Sequence, residues 1–179
     1  YQHSLFDVLD PYRQAAPGFN DPTWDDHFST EGTKDWTHGN AVIYDPRDDS
    51  FIFSLRHQNW LVKIDRRTGS LIWRLGEGGD FELNSGLWFY HQHAPMLVGD
   101  GHILVYDNGN YRPSRETGKY FSRAVEYSLN RRTGEAEEVW EYRAGEQYYA
   151  PFIGDADQLS NGNILVVNGG TVSDQSLSI

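Results

Sequence analysis

From Gly39 onward, short apolar runs alternate with clusters of turn-forming residues. Ala41–Tyr44, Ser50–Leu55, Trp60–Asp65 and Ser70–Leu75 are rich in β-branched, aromatic and aliphatic side chains, and the acidic turn after Tyr44, Arg56-His-Gln-Asn59 and Arg66-Arg-Thr-Gly69 separate them. This spacing predicts a four-stranded antiparallel sheet. The pattern then returns, with strands expected at Ala94–Val98, His102–Asp107, Arg123–Leu129 and Glu137–Tyr142. A third set begins near Asp155 and includes Gln158-Leu159 and Asn163–Val167. Before Gly39 the periodicity is weak. Ser4 to Leu9 predicts a helical turn or two with Ser4 as N-cap and Leu5, Val8 and Leu9 on one face. Asp10-Pro11, Pro17-Gly18 and Asp21-Pro22 punctuate a loop over the rest.

The first two sets are imperfect copies of each other. One opens at His38, passes through Lys63-Ile-Asp65 and Thr68-Gly69, and closes at Ile72-Trp73; the other opens at His93, passes through Arg131-Arg-Thr-Gly134, and closes at Val139-Trp140. Gly69 and Gly134 stand where a short hairpin needs a positive φ. A repeat of this length points to an all-β β-propeller, with blades at 38–76, 93–145 and, in part, 155–179, and a loop-rich inter-blade segment over 1–37. Propellers close with about four to eight blades, and about three are visible, so the chain reads as part of a longer protein. It begins at Tyr1 without a signal-peptide pattern.

Strand direction converts this repeat into a site. Antiparallel neighbours bring the start of a blade's first strand beside the end of its second. His38 should therefore share a rim with Arg56 and His57, and His93 should share it with Asp107-Asn108-Gly-Asn-Tyr-Arg112. Innermost strands line a propeller axis, so both blades aim these groups at one central pocket. Aligning the third set on Leu97 and Leu159 puts Asp155 at the position of the two histidines.

Composition narrows the chemistry. Twenty-six acidic against 15 basic residues leave a formal net charge of −11, which argues against a phosphate-backbone footprint and hence against a nucleic-acid partner. There is no cysteine, so disulfides, thiolate metal sites and a cysteine nucleophile are excluded. No apolar run approaches the length of a membrane-spanning helix. Neither a glycine-rich phosphate cradle followed by Lys-Ser/Thr nor a dinucleotide fingerprint is present, and no cofactor is expected.

Imidazoles and guanidiniums at a channel mouth suit transfer of a small oxyanion group. A histidine can act as nucleophile, base or acid near neutral pH, and an arginine offers a planar fork to two oxygens of a sulfuryl or phosphoryl group. Arg56, Arg66, Arg67, Arg131 and Arg132 also fit plain turn positions, and Arg112 a solvated loop charge.

Asp35-Trp-Thr-His38-Gly-Asn40, the Ser54-Leu-Arg56 strand end, Gln92-His93-Ala94 and Asp107-Asn-Gly-Asn-Tyr-Arg112, in that order, resemble the bacterial arylsulfotransferase family, also called arylsulfate sulfotransferases. Phe6-Asp-Val-Leu-Asp-Pro11 fits the segment upstream of the first histidine motif. The resemblance implies a six-bladed propeller in the periplasm or outside the cell. It also implies sulfuryl transfer from a phenolic sulfate ester to a phenol acceptor through a sulfohistidine, without a nucleotide sulfate donor. On that resemblance His38, His93 and Arg112 are the catalytic candidates, and Arg56, Asn108 and Asp155 the substrate-binding ones. The family's nucleophilic histidine lies C-terminal to its arginine, yet this sequence has no histidine after His102. Asp155 or Asp157 stands at the comparable entrance, so the nucleophile is expected either beyond Ile179 or lost from this branch.

Two rivals remain at this level. Quinoprotein dehydrogenases and propeller scaffold proteins share the Asp-x-x-Thr-Gly-x-x-x-Trp pattern, so Trp73 and Trp140 do not choose between them; matched blade-entrance histidines favour the enzyme. A metal site is the other, because His91 and His93, two apart, would lie on one face of a strand with His38 nearby.

Overall fold

A computed structural model describes residues 2–15, 35–113 and 119–172. The turn signals expected at Pro17-Gly18 and Asp21-Pro22, and the end of the third repeat, lie outside the described residues. The fold is all-β. A four-stranded antiparallel sheet runs in the order β1 (Gly39–Asp45), β2 (Ser50–Leu55), β3 (Trp60–Asp65) and β4 (Leu71–Leu75). The second sheet runs β6 (His93–Gly99), β7 (His102–Asp107), β8 (Arg123–Asn130) and β9 (Glu135–Tyr142), with the two-residue β5 (Glu82–Leu83) added in parallel beside β9. β10 (Asp155–Gln158) and β11 (Ile164–Val167) form an antiparallel pair. The expected strands are thus present, with ends moved by a residue or two. β5 has no counterpart in the sequence pattern because two residues cannot display an alternation.

The same local chemistry closes the matching hairpin in each repeat. After β3, Asp65 Oδ1 accepts from the Arg67 and Thr68 amides; after β8, Asn130 Oδ1 accepts from those of Arg132 and Thr133. Gly69 and Gly134 then take φ of 74° and 73°, the left-handed conformation that glycine adopts without a Cβ penalty. At the N-terminus Leu5–Asp7 form a 3₁₀ turn in which Ser4 Oγ accepts from the Phe6 amide. Leu5, Val8 and Leu9 then pack on Leu55, Trp60, Val62 and Ile64.

Successive sheets stack face to face. Ile52, Leu61, Trp73 and Leu75 of the first sheet bury against Ile103, Val105, Val125 and Tyr127 of the second, with Phe81 and Phe89 filling the seam. Leu104, Tyr106 and Ala124, on the opposite face of the second sheet, pack on Ala150 and Ala156 next to the third. The alternation along β7 therefore supplies two cores, one per face. The first strands of the sheets are neighbours, β1 beside β6 and β6 beside β10. This arrangement is consistent with part of a β-propeller, and it gathers the entrances of β1, β6 and β10 at one end of the stack.

Candidate functional site

Beyond the paired strands, the ladder between β1 and β2 continues for two more bonds: the Arg56 amide donates to the His38 carbonyl at 3.2 Å, and the His57 amide to the Thr37 carbonyl at 3.2 Å. Arg56–Gln58 close into a 3₁₀ turn, and Arg56, His57, Gln58 and Asn59 are all nearly fully buried. Arg56 is therefore in a turn, as its sequence context suggested, but nearly fully buried there. Residues 35–37 cover this turn, and the sheet-two entrance locks onto it from the other side: Asn59 Oδ1 accepts from the His91 amide, and Gln92 Nε2 donates to the Trp60 carbonyl at 2.9 Å.

The backbone at this end is strained. His38, Asn59, His91, Ala94, Tyr111 and Ile153 all have φ between 45° and 59° without being glycine. Left-handed conformations of this kind concentrate where side chains must be aimed against backbone preference.

Those side chains form a cluster. The His38 and His57 ring centroids are 4.6 Å apart, and those of His57 and His91 5.9 Å. His38 Nδ1 is hydrogen-bonded to the Asp35 carboxylate, and His57 Nδ1 donates to the Asp35 backbone carbonyl at 2.6 Å. His57 Nε2 accepts from Arg56 Nη1 at 2.7 Å, while Arg56 Nη2 donates to the Pro151 carbonyl at 3.1 Å. His93 Nδ1 lies 2.7 Å from Asn108 Oδ1. Asn108 Nδ2 donates to the carbonyls of Ala150 and Ile153, which turns its amide oxygen toward the imidazole and makes His93 Nδ1 the donor. The lone pair of His93 is then on Nε2.

Electrostatics keep several of these imidazoles neutral. Burial, together with the positive charge of Arg56, brings His93 down to about 4. His57 is lowered chiefly by burial and then by Arg56, and His91, almost wholly inside the protein, is lowered further by the same two causes. Burial pushes the Asp35 carboxyl up, but its hydrogen bond with His38 outweighs that, and its pKa falls below the usual value.

Other expected site residues are placed differently. Arg112 is 2% exposed, with Nη2 on Asp107 Oδ2 and Nη1 donating to the Trp88 carbonyl at 2.7 Å, and its guanidinium lies 4.5 Å from the Phe121 ring centroid. It is neither a solvated loop charge nor the guanidinium bonded to the histidine cluster; Arg56 is. Asp155 does open β10 as the alignment predicted, but its carboxylate accepts from the Ala156 amide, and burial and Asp157 raise its pKa. His91 precedes β6 instead of sharing a strand face with His93, because its backbone is left-handed. The metal question passes instead to Asp35, His38 and His57, whose ligand atoms all lie within 4.8 Å of one another. A cation there would have to displace the His57 bond to the Asp35 carbonyl and the Asp35 bond to His38, and would sit beside the Arg56 charge.

The sequence model of the family described as Arylsulfotransferase (ASST) matches residues 2–178, nearly all of the chain. This chain belongs to the arylsulfotransferase family. It is 30% identical, over 172 aligned residues, to the arylsulfate sulfotransferase AssT of Escherichia coli O6:H1, an alignment covering 78% of this chain and 28% of that protein. Against the arylsulfate sulfotransferase AssT of Lelliottia amnigena the identity is 28% over 163 residues, covering 73% of this chain and 27% of the relative. The chain thus spans little more than a quarter of the length of these curated relatives. Within the arylsulfotransferase chain, the resemblance motifs Asp35-Trp-Thr-His38, Ser54-Leu-Arg56 and Gln92-His93 are the segments that build the cluster. Asp35 was not singled out as a catalytic or binding candidate from the sequence; His57 was placed there only on the rim shared with His38, and His91 only as a metal-ligand candidate. The signal for Asp35 was its place three residues before His38; burial of His57 depends on residues 35–37 folding over it.

Proposed function

We propose that this end of the sheet stack is the sulfuryl-transfer site of an arylsulfate sulfotransferase built on a six-bladed propeller, of which residues 38–76, 93–145 and 155 onward supply blades and 1–37 an inter-blade segment. The donor is a phenolic sulfate ester and the acceptor a phenol. An imidazole Nε2 lone pair attacks sulfur and the sulfur–oxygen bond to the aryl group breaks; the departing phenolate takes its proton from water. The acceptor phenol then gives its proton to Nε2 of a second histidine while its oxygen displaces the sulfohistidine nitrogen, and the imidazolium so formed returns the proton to solvent. In this reading His93 is the attacking imidazole, in place of the family's histidine C-terminal to the arginine, since this sequence has no histidine after His102; His38 is the second imidazole, Arg56 offsets charge on the sulfuryl oxygens, and Asn108 orients His93. Arg112 contributes by fixing the Asp107–Arg112 segment on which Asn108 sits. A periplasmic or secreted location accompanies this reading; among the described residues no helix is long and apolar enough to cross a membrane.

The observation that carries the proposal is the pairing of two entrance imidazoles, each anchored through Nδ1, with the buried Arg56 guanidinium whose charge acts on His93. The overall charge of −11 would repel an anionic donor, so a local cation is required to hold one. The test is to incubate the intact protein carrying this sequence with an aryl sulfate and a phenol, no nucleotide being added, and to follow phenol release and acceptor sulfation. Turnover is expected, falling about 10²- to 10⁴-fold in His38→Asn and His93→Asn. No turnover, or turnover indifferent to both substitutions, overturns the proposal.

A further inference from the structure

We propose that Asp35 is the positioning residue of this site: its carboxylate holds His38 with the proton on Nδ1 and the lone pair on Nε2, while its backbone carbonyl imposes the same tautomer on His57. The role of His38 in this inference rests on the sulfuryl-transfer reading; the tautomer assignment does not.

Each bond in the chain has only one possible direction. A carboxylate and a backbone carbonyl are acceptors, so the nitrogens that meet them must carry hydrogen: Nδ1 of His38 on the carboxylate, and Nδ1 of His57 on the carbonyl at 2.6 Å. An arginine guanidinium has donors only, so His57 Nε2, at 2.7 Å from Arg56 Nη1, must be unprotonated. The two ends of the chain therefore agree on His57, and a single residue sets both rings. The lowered pKa of Asp35 keeps its carboxylate ionised at neutral pH, as the assignment needs. His57 is buried and held neutral, so it fixes the Arg56 fork without cancelling the guanidinium charge as a carboxylate partner would.

The consequence for His38 is catalytic. When its Nε2 takes the proton of an acceptor phenol, an imidazolium forms in the field of Arg56, with His57, His91 and His93 among its near titratable neighbours. Arg56 disfavours that charge. The Asp35 carboxylate compensates it, and because the charge exists only as the proton moves, the stabilisation is felt in the transition state more than in substrate binding. His93, by contrast, is backed by the neutral amide of Asn108, which fixes its tautomer without favouring a charged ring. The two entrance histidines, equivalent in the repeat, are thereby equipped for different work.

Imidazole nitrogen spectra of the intact, ¹⁵N-histidine-labelled protein test this directly. The expected result is a protonated Nδ1 and an unprotonated Nε2 at both His38 and His57. In Asp35→Asn the His38 signals should move toward a tautomer mixture, because an amide can either accept or donate, while those of His57, held by the main chain, stay in place. With aryl sulfate and phenol, kcat should fall on the order of 10²-fold with KM changed less than about twofold, and Asp35→Glu should restore part of kcat. A proton on Nε2 of either histidine in the unmodified protein overturns the inference, and that measurement stands even if Asp35→Asn does not fold. Unchanged His38 nitrogens in a folded Asp35→Asn overturn it as well. Tautomers as assigned in a protein that transfers no sulfuryl group would sink the functional reading alone.

Discussion

His93 illustrates how a single residue's environment changes what its chemistry allows. An ordinary histidine is half protonated near pH 6.5, whereas burial and the neighbouring Arg56 charge bring His93 to about 4, so it offers a neutral Nε2 throughout the physiological range. The linkage has a definite sign. Between pH 4 and pH 6.5 the unfolded chain takes up a proton at this position and the folded protein does not, so stability contributed here is present above the unfolded value and is lost as pH falls through that window. The full loss is roughly 3 kcal/mol. Urea midpoints measured from pH 7 to pH 4 should therefore decline, and His93→Asn should remove part of the decline; a slope unaltered by that substitution would refute the shift. The histidines at 38 and 93 were legible in the sequence because repetition placed them in register. Strand direction also put His57 on their rim, but the part played by Asp35 was not legible, since it depends on bonds between residues that carry no pattern.

At the level of the element, the segment from Asp107 to Arg112 decides whether Asn108 can hold His93. Asp107 is fully buried; Oδ1 accepts from the Tyr90 amide, and Oδ2 meets both Arg112 and Arg123. Arg123 continues the network to Glu138 and Glu141, so the end of β7, the start of β8 and the far strand β9 are joined through one carboxylate. Gly109, next to Asn108, has φ of 78°, and a Cβ there would come 2.1 Å from the Phe121 carbonyl oxygen. Gly134 has nearly the same φ, but its Cβ would lie 3.4 Å from the nearest atom, the Asp80 carbonyl. Gly134→Ala should cost about 1 kcal/mol, the conformational penalty alone. Gly109→Ala should cost several times more and should also release the His93 ring, visible as loss of its fixed tautomer. Equal costs in urea unfolding would show that the Phe121 backbone gives way easily. Gly134 read as a hairpin glycine from the sequence; the close approach of Phe121 at Gly109 shows only in the tertiary structure.

Across the whole molecule, positions equivalent in the repeat diverge because their neighbours differ. Trp73 is 5% exposed in the seam between the first two sheets, whereas Trp140, its partner in the second copy, is 37% exposed. Trp73→Ala should destabilise by about 3–5 kcal/mol, and Trp140→Ala by about 1 kcal/mol or less. Comparing their urea midpoints checks this, and similar losses would mean that the repeat is more symmetric than the packing indicates. The strand pattern, the hairpin glycines, the entrance histidines and the family were all available from the sequence alone, because local alternation, turn chemistry and repetition act over a few neighbouring residues or recur in register. The tertiary structure decided that Arg56 and not Arg112 is bonded to a histidine, that Asp35 belongs with His38 and His57, and that Asn108 faces His93. Each of those outcomes depends on which donors and acceptors are enclosed together when the sheets stack, where an unmade hydrogen bond is costly.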